Sequence, residues 1–267
     1  MLITESTAIV DFAKPMRGRR HPGSGHQRTV NMPSSRLAPR TVLLIAAMLV
    51  GGLCVDVRTD IVGQTLVSIG IWALLLFLLN RMAHGVRCAL MTCLVIATIG
   101  EVVLSVVWGL YKYRLGNVPL FVPPGHVLLL LLGLWLADRL PESAARAILG
   151  CAGLYSIAVA AAGIDTLGMA LFAVFAIAWY VMPSQRRLYA STFVLSLALE
   201  LYGTWLGNWT WAALVPRLEL VTTNPPGAAG AFYCALDALV AAASLQLVPR
   251  WRAWTVRPKA GVLALKP

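Results

Sequence analysis

The chain has 267 residues, of which 59% are hydrophobic and only 12% charged. Soluble globular domains carry about 25% charged residues, so this composition excludes a water-soluble enzyme and a disordered chain. The net charge of +11 would fit a nucleic-acid binder, but the placement of the basic residues gives it another meaning.

In chain order, residues 1–40 hold no spanning segment. The run Met16-Arg-Gly-Arg-Arg-His-Pro-Gly-Ser-Gly-His predicts a disordered basic arm rather than a secretory signal, because no short apolar core with a cleavage-like site follows it. Met32, just ahead of the first apolar run, is a sensible alternative start, which leaves open whether residues 1–31 belong to the native protein. Eight apolar runs follow, at 41–57, 61–80, 87–110, 121–140, 144–163, 166–182, 188–204 and 228–248. A helix needs about 20 such residues to cross the hydrocarbon core. The first and sixth runs are the shortest, so seven spans is the main rival. Residues 250–267 read as a basic tail.

With eight spans and the N-terminus inside, 18 of the 22 Lys and Arg residues fall on the inner side. Only Arg58, Lys112, Arg114 and Arg217 fall outside, as the positive-inside rule asks. The charge therefore reports orientation and attraction to an anionic leaflet, not nucleic-acid binding. The expected fold is all-α: a multi-pass protein of the cell membrane (the inner membrane, if bacterial) with eight transmembrane helices and both termini cytoplasmic. The five cysteines lie in or beside apolar runs without CxxC spacing and read as packing residues.

The third and seventh runs share a pattern. Glu101 and Glu200 lie 99 residues apart, each with a hydroxyl four residues on, Ser105 and Thr204. Each is followed by a Gly-x-aromatic-x-aromatic segment, Gly109-Leu-Tyr111-Lys-Tyr113 and Gly207-Asn-Trp209-Thr-Trp211, and then by Pro-Pro-Gly. The next run carries Asp138 in the first copy and Asp237 in the second, again 99 apart. This order predicts two tandem four-helix repeats, 41–143 and 144–249. An even number of spans per unit makes the repeats parallel, about an axis along the membrane normal.

Ionisable residues inside a membrane are costly and default to functional candidates. At about 1.5 Å per residue, Glu101, Glu200 and Asp237 all fall in the outer half of the hydrocarbon core and can share a chamber, whereas Asp138 lies at the inner boundary beside Arg139. Two readings of the glutamates compete: neutral acids bonded to Ser105, Thr204 or a carbonyl, or acids that hand a proton to a substrate. The aromatics read either as an interfacial belt or as a wall of π faces around a cation. His126 is the one histidine placed to face the chamber, and Asn224 lies in an ordered loop after Trp211. No nucleotide, metal or serine-hydrolase motif occurs, so no metal and no cofactor are expected.

The stretch of Glu101, Gly109-Leu-Tyr111-Lys-Tyr113, Val118-Pro119 and Val122-Pro123 resembles membrane carotenoid-biosynthesis proteins of the carotenoid hydratase type. Glu200 with Gly207-Asn-Trp209-Thr-Trp211 is similar to the corresponding segment of lycopene-cyclase-type membrane domains. Those cyclases continue with a Pro-x-Glu-Glu-like segment, where this chain has Thr223-Asn224-Pro225-Pro226-Gly227. The resemblance implies protonation of an isoprenoid double bond. The expected function is thus a cofactor-independent membrane enzyme, a hydratase (lyase) or cyclase (isomerase), acting on an isoprenoid or other lipid. Glu200 is the acid, Asp237 its partner and Glu101 the third carboxyl. Tyr111, Tyr113, Trp209, Trp211, Asn224, His126, Thr204 and Ser105 line the substrate site. The alternatives are a small transporter or channel with proton- or cation-binding carboxylates, and a non-catalytic assembly protein. The expected partners are the bilayer and a hydrophobic substrate, with protein partners left open.

Overall fold

The computed structural model describes the backbone of residues 37–255, with side chains to residue 243. The expectations for the arm (1–36) and for the end of the tail (256–267) lie outside the described residues. Eight α-helices correspond one to one with the eight apolar runs: α1 Pro39–Arg58, α2 Ile61–Asn80, α3 His84–Glu101, α4 Val122–Ala137, α5 Glu142–Ala161, α6 Thr166–Val181, α7 Arg186–Leu206 and α8 Ala231–Thr255. Local chemistry sets several boundaries. Pro39 opens α1, and Pro123 and Pro124 sit in the first turn of α4, where a missing N–H costs nothing. Asp60 caps α2 by accepting from the N–H groups of Val62 and Gly63, and Asp165 caps α6 by accepting from Gly168. The last helix runs to Thr255, so its end carries several residues that the sequence assigns to the tail.

Four helical segments are long and apolar enough to cross a bilayer: Pro39–Arg58, Ile61–Asn80, His84–Val107 and Glu142–Ala161. The pair α6 and α7, bent by 108° at the short turn Pro183–Gln185, makes a fifth if counted as one broken span. Large apolar side chains such as Leu43, Val106, Leu154 and Trp205 face outward, as a lipid surroundings requires. The chain is a helical membrane protein. The ends of α2, α4 and α6 share one device: Arg81 lies over Phe77, Arg139 over Trp135 and Arg186 over Trp179. Such aromatic-backed guanidiniums suit a headgroup boundary. Asp138 is exposed at the C-cap of α4 beside one of them.

The interior is organised around α4, whose residues 127–132 are all buried. A helix apolar all round belongs in a core, and α4 packs against α1, α2, α3 and α7. The two halves interlock at this centre: α4 of the first packs on α7 of the second, and α8 of the second packs on α3 of the first.

The fold is not purely α-helical. Tyr111–Tyr113 (β1) and Trp209–Trp211 (β2) form a two-stranded antiparallel ribbon, with Tyr111 opposite Trp211, Lys112 opposite Thr210 and Tyr113 opposite Trp209. The two aromatic segments that read as matching copies thus pair with each other. The period-2 pleat turns all four rings inward and leaves Lys112 and Thr210 exposed. Gly109 and Gly207 enter the strands at φ of 74° and 88°, a left-handed backbone that glycine adopts without penalty.

The copies differ by one residue, since Glu101 precedes its glycine by eight positions and Glu200 by seven. Beyond Glu101 the helix widens into a π-helix at Val102–Val107. A π turn closes i→i+5 and takes up one residue more than an α turn, so both acids meet the ribbon in the same relation.

Candidate functional site

The ribbon places two aromatic donors over each glutamate. Tyr111 and Tyr113 donate their hydroxyls to Glu101 Oε2 at 2.8 and 2.6 Å. Trp209 and Trp211 donate their indole N–H groups to Glu200 Oε2 at 2.8 and 3.2 Å. Each acid is therefore gripped by the aromatic pair of its own half, and the rings pack across the strands, with Tyr111 and Trp211 centroids 4.9 Å apart and those of Tyr113 and Trp209 6.0 Å apart. Burial, followed by the charge of Glu101, pushes both phenols well above their usual pKa range, so at neutral pH they act as O–H donors.

His126, in the first turns of α4, sets Nε2 3.4 Å from Glu101 Oε1 while Nδ1 lies 3.0 Å from the carbonyl of Val122. Its ring stacks on Tyr233 of α8, with centroids 4.6 Å apart and planes within 5°. These groups surround a cleft of about 550 Å³, counted with its mouth. Glu101, Glu200, His126, Tyr111, Tyr113, Trp209 and Tyr233 line it, and α1 and α2 close it with Met48, Leu49, Val67 and Ile71. A polar wall of two carboxyls thus faces an apolar one, the combination that small-molecule sites show.

The sequence-predicted residues divide accordingly. Glu101, Glu200, His126, Tyr111, Tyr113 and Trp209 converge on the cleft. Trp211 grips Glu200 from behind and is not part of the lining. Asp237, expected as the partner of Glu200, is not in the cleft. It is buried in the α3–α7–α8 interior near Cys93, Tyr189 and Cys234, and its Oδ2 has no hydrogen-bond partner. The reason is axial: Asp237 follows Tyr233 by four residues on the same face of α8, about 6 Å further along the helix, and it is Tyr233 that reaches His126. Thr204 does not bond the Glu200 carboxyl but donates to the Glu200 backbone carbonyl at 2.7 Å. Ser105 lies in the π-helix, away from the cleft lining. Asn224 supports the ribbon instead of lining the site: its Oδ1 accepts from Trp211 N–H at 3.0 Å, beside the cis Asn224–Pro225 bond.

Two contributors are not singled out by the sequence. Tyr233 is one more aromatic in an apolar run. Asp56 sits near the end of the first run, where an acid passes for an interfacial residue, yet it is 1% exposed. Its carboxyl accepts from Gln64 at 2.9 Å and Asn208 at 2.7 Å, and the Arg114 guanidinium donates to its backbone carbonyl. Asn208 and Arg114 flank the two strands and are bonded to each other, so this network fastens the ribbon to α1. Among the described residues no group of three or more His, Cys, Asp or Glu side chains converges as a metal site requires.

No protein-family model matches the chain, and neither a curated protein nor a solved structure matches it.

Proposed function

We propose that the protein is a membrane enzyme that protonates a carbon–carbon double bond of an isoprenoid or related lipid, leading to hydration or cyclisation. All eight helices cross the bilayer in this reading, as two parallel four-helix repeats with both termini in the cytoplasm. The observation that carries it is the meeting of Glu101 and Glu200 in one cleft with an apolar wall, each carboxyl fixed by two aromatic donors.

Such an arrangement suits acid–base chemistry on a greasy substrate. A substrate C=C takes a hydrogen from one carboxyl. The positive charge that forms on the neighbouring carbon meets the π faces of Tyr111, Tyr113, Trp209 and Tyr233. Water addition or loss of a proton to the second carboxyl then completes the reaction. The apolar residues of α1 and α2 hold the hydrocarbon and exclude stray water.

The test is a comparison of lipid extracts by mass spectrometry from cells with the wild-type protein, with Glu101→Gln and with Glu200→Gln. The expected result is an isoprenoid that gains the mass of water or changes retention at constant mass, formed only by the wild type. Unchanged product with Glu200→Gln ends the proposal. A second reading draws on the same cage of rings and carboxylates, which also suits an organic cation, as in a small transporter. Accumulation of a cationic probe that depends on Glu200, with no lipid product, would decide for it.

A further inference from the structure

The two halves of the site hold their acids with chemically different donors. An indole N–H donates and cannot accept. With Trp209 and Trp211 both donating to Glu200 Oε2, that oxygen is committed as an acceptor on both lone pairs. A hydrogen placed on it would face two N–H groups. Oε1 of Glu200 has no hydrogen-bond partner among the described residues, and the residue lines the cleft. A proton on Glu200 therefore has one place to sit, on the oxygen left open to a ligand.

Glu101 is arranged the opposite way. Its Oε2 takes both tyrosine hydroxyls, and its Oε1 faces His126 Nε2 at 3.4 Å. The Val122 carbonyl can only accept, which places a hydrogen on Nδ1 of His126. Nε2 and Oε1 then make a seat for one proton. Empty, it sets two lone pairs against each other; filled, it makes one N–H···O or O–H···N contact. Oε2 of Glu101 is spent on the tyrosines, and Oε1 is open to the cleft only as one side of this seat.

We infer that the two carboxyls have fixed and opposite roles: Glu200 delivers a proton from Oε1, and the Glu101–His126 pair receives one. This rests on the protonation reading above and narrows its substrate class. The cleft presents an O–H rather than a bare lone pair, which suits a neutral, electron-rich π bond and not a metal or organic cation. In the forward step the π electrons of C=C form a C–H bond with the Glu200 hydrogen. The O–H electron pair stays on Glu200 as carboxylate, and the neighbouring carbon becomes cationic. Loss of a proton from the adjacent carbon to the Glu101–His126 seat leaves its C–H electrons as a new C=C. The substrate keeps its composition, and one proton passes from the filled seat back to Glu200. The class of reaction so favoured is double-bond migration or cyclisation.

Infrared spectra of the purified wild-type protein and of Glu200→Gln, Glu101→Gln and Asp237→Asn test this without any substrate. The C=O stretch of a protonated carboxyl is expected to lose a component in Glu200→Gln and to keep that component in Glu101→Gln, with Asp237→Asn identifying the separate contribution of Asp237. Loss of the component in Glu101→Gln but not in Glu200→Gln overturns the assignment. Trp211→Phe, which removes only the 3.2 Å donor, serves if a Gln variant fails to fold; it is expected to shift the Glu200 component, and an unshifted component also overturns the proposal. An infrared pattern as expected, combined with no lipid product in cells, would refute the enzymatic reading while leaving the proton assignment standing.

Discussion

Tyr113 makes the shortest bond to the Glu101 carboxyl, at 2.6 Å, and hydrogen bonds to charged groups contribute about 1.5–3 kcal/mol. Tyr113→Phe keeps the ring and removes this donor, so product formation is expected to fall by roughly tenfold or more, with a lowered melting temperature that Tyr111 and His126, still on the carboxyl, keep short of unfolding. Comparison of rates in membranes with unfolding in detergent checks both halves of that statement. Gly203 supplies a second test, because a Cβ there would lie 2.1 Å from the Trp209 ring. Gly203→Ala is expected to displace the indole from Glu200, reducing activity and changing tryptophan emission. Asp237, by contrast, is outside the cleft, so Asp237→Asn is expected to retain close to wild-type product formation. An inactive, well-folded Asp237→Asn would restore it to the site.

The π-helix at Val102–Val107 turns a one-residue mismatch between the halves into equivalent geometry. Deleting one residue within it gives the first half the seven-residue spacing of the second. That deletion is expected to leave a folded protein with the tyrosines still over Glu101. The same deletion between Glu200 and Gly207 has no π turn to relax and is expected to abolish activity by rotating the tryptophans off their acid; stability and product yield of the two deletions distinguish them. The ribbon itself depends on the Asp56 network. Replacing Asp56 with leucine takes the acceptor from the Gln64 amide N–H and one of two from that of Asn208, which keeps the Leu53 carbonyl; at about 1–3 kcal/mol for a buried group left unpaired, a lowered melting temperature is the expected readout.

Across the whole molecule, the Arg-on-aromatic ends of α2, α4 and α6 and the exposed Lys112 of the ribbon mark opposite sides under the eight-span arrangement. With the native cysteines replaced, Lys112→Cys is expected to react with an impermeant maleimide added to intact cells. Arg139→Cys is expected to react only after permeabilisation. The reverse pattern would invert the topology, and equal labelling of both from outside would rule out an odd number of spans between them, and with it the crossing of α4.

Hydrophobic run length and the paired Glu and Gly-x-aromatic-x-aromatic segments were legible in the sequence, because they are local: about 20 apolar residues make a helix in lipid whatever surrounds them. Eight such runs became eight helices, and Glu101, Glu200 and His126 stood out because ionisable groups are rare in apolar surroundings. What depends on the angle between distant elements was not legible. Hydropathy alone cannot tell that α4 is a buried centre and not a lipid-facing helix, since both are apolar all round. The pairing of Tyr111–Tyr113 with Trp209–Trp211 joins segments 98 residues apart through backbone hydrogen bonds, which any side chains can make. That pairing decided which aromatic holds which acid, and the depth of each turn of α8 decided that Tyr233 lines the cleft while Asp237, one turn further along the same face, does not.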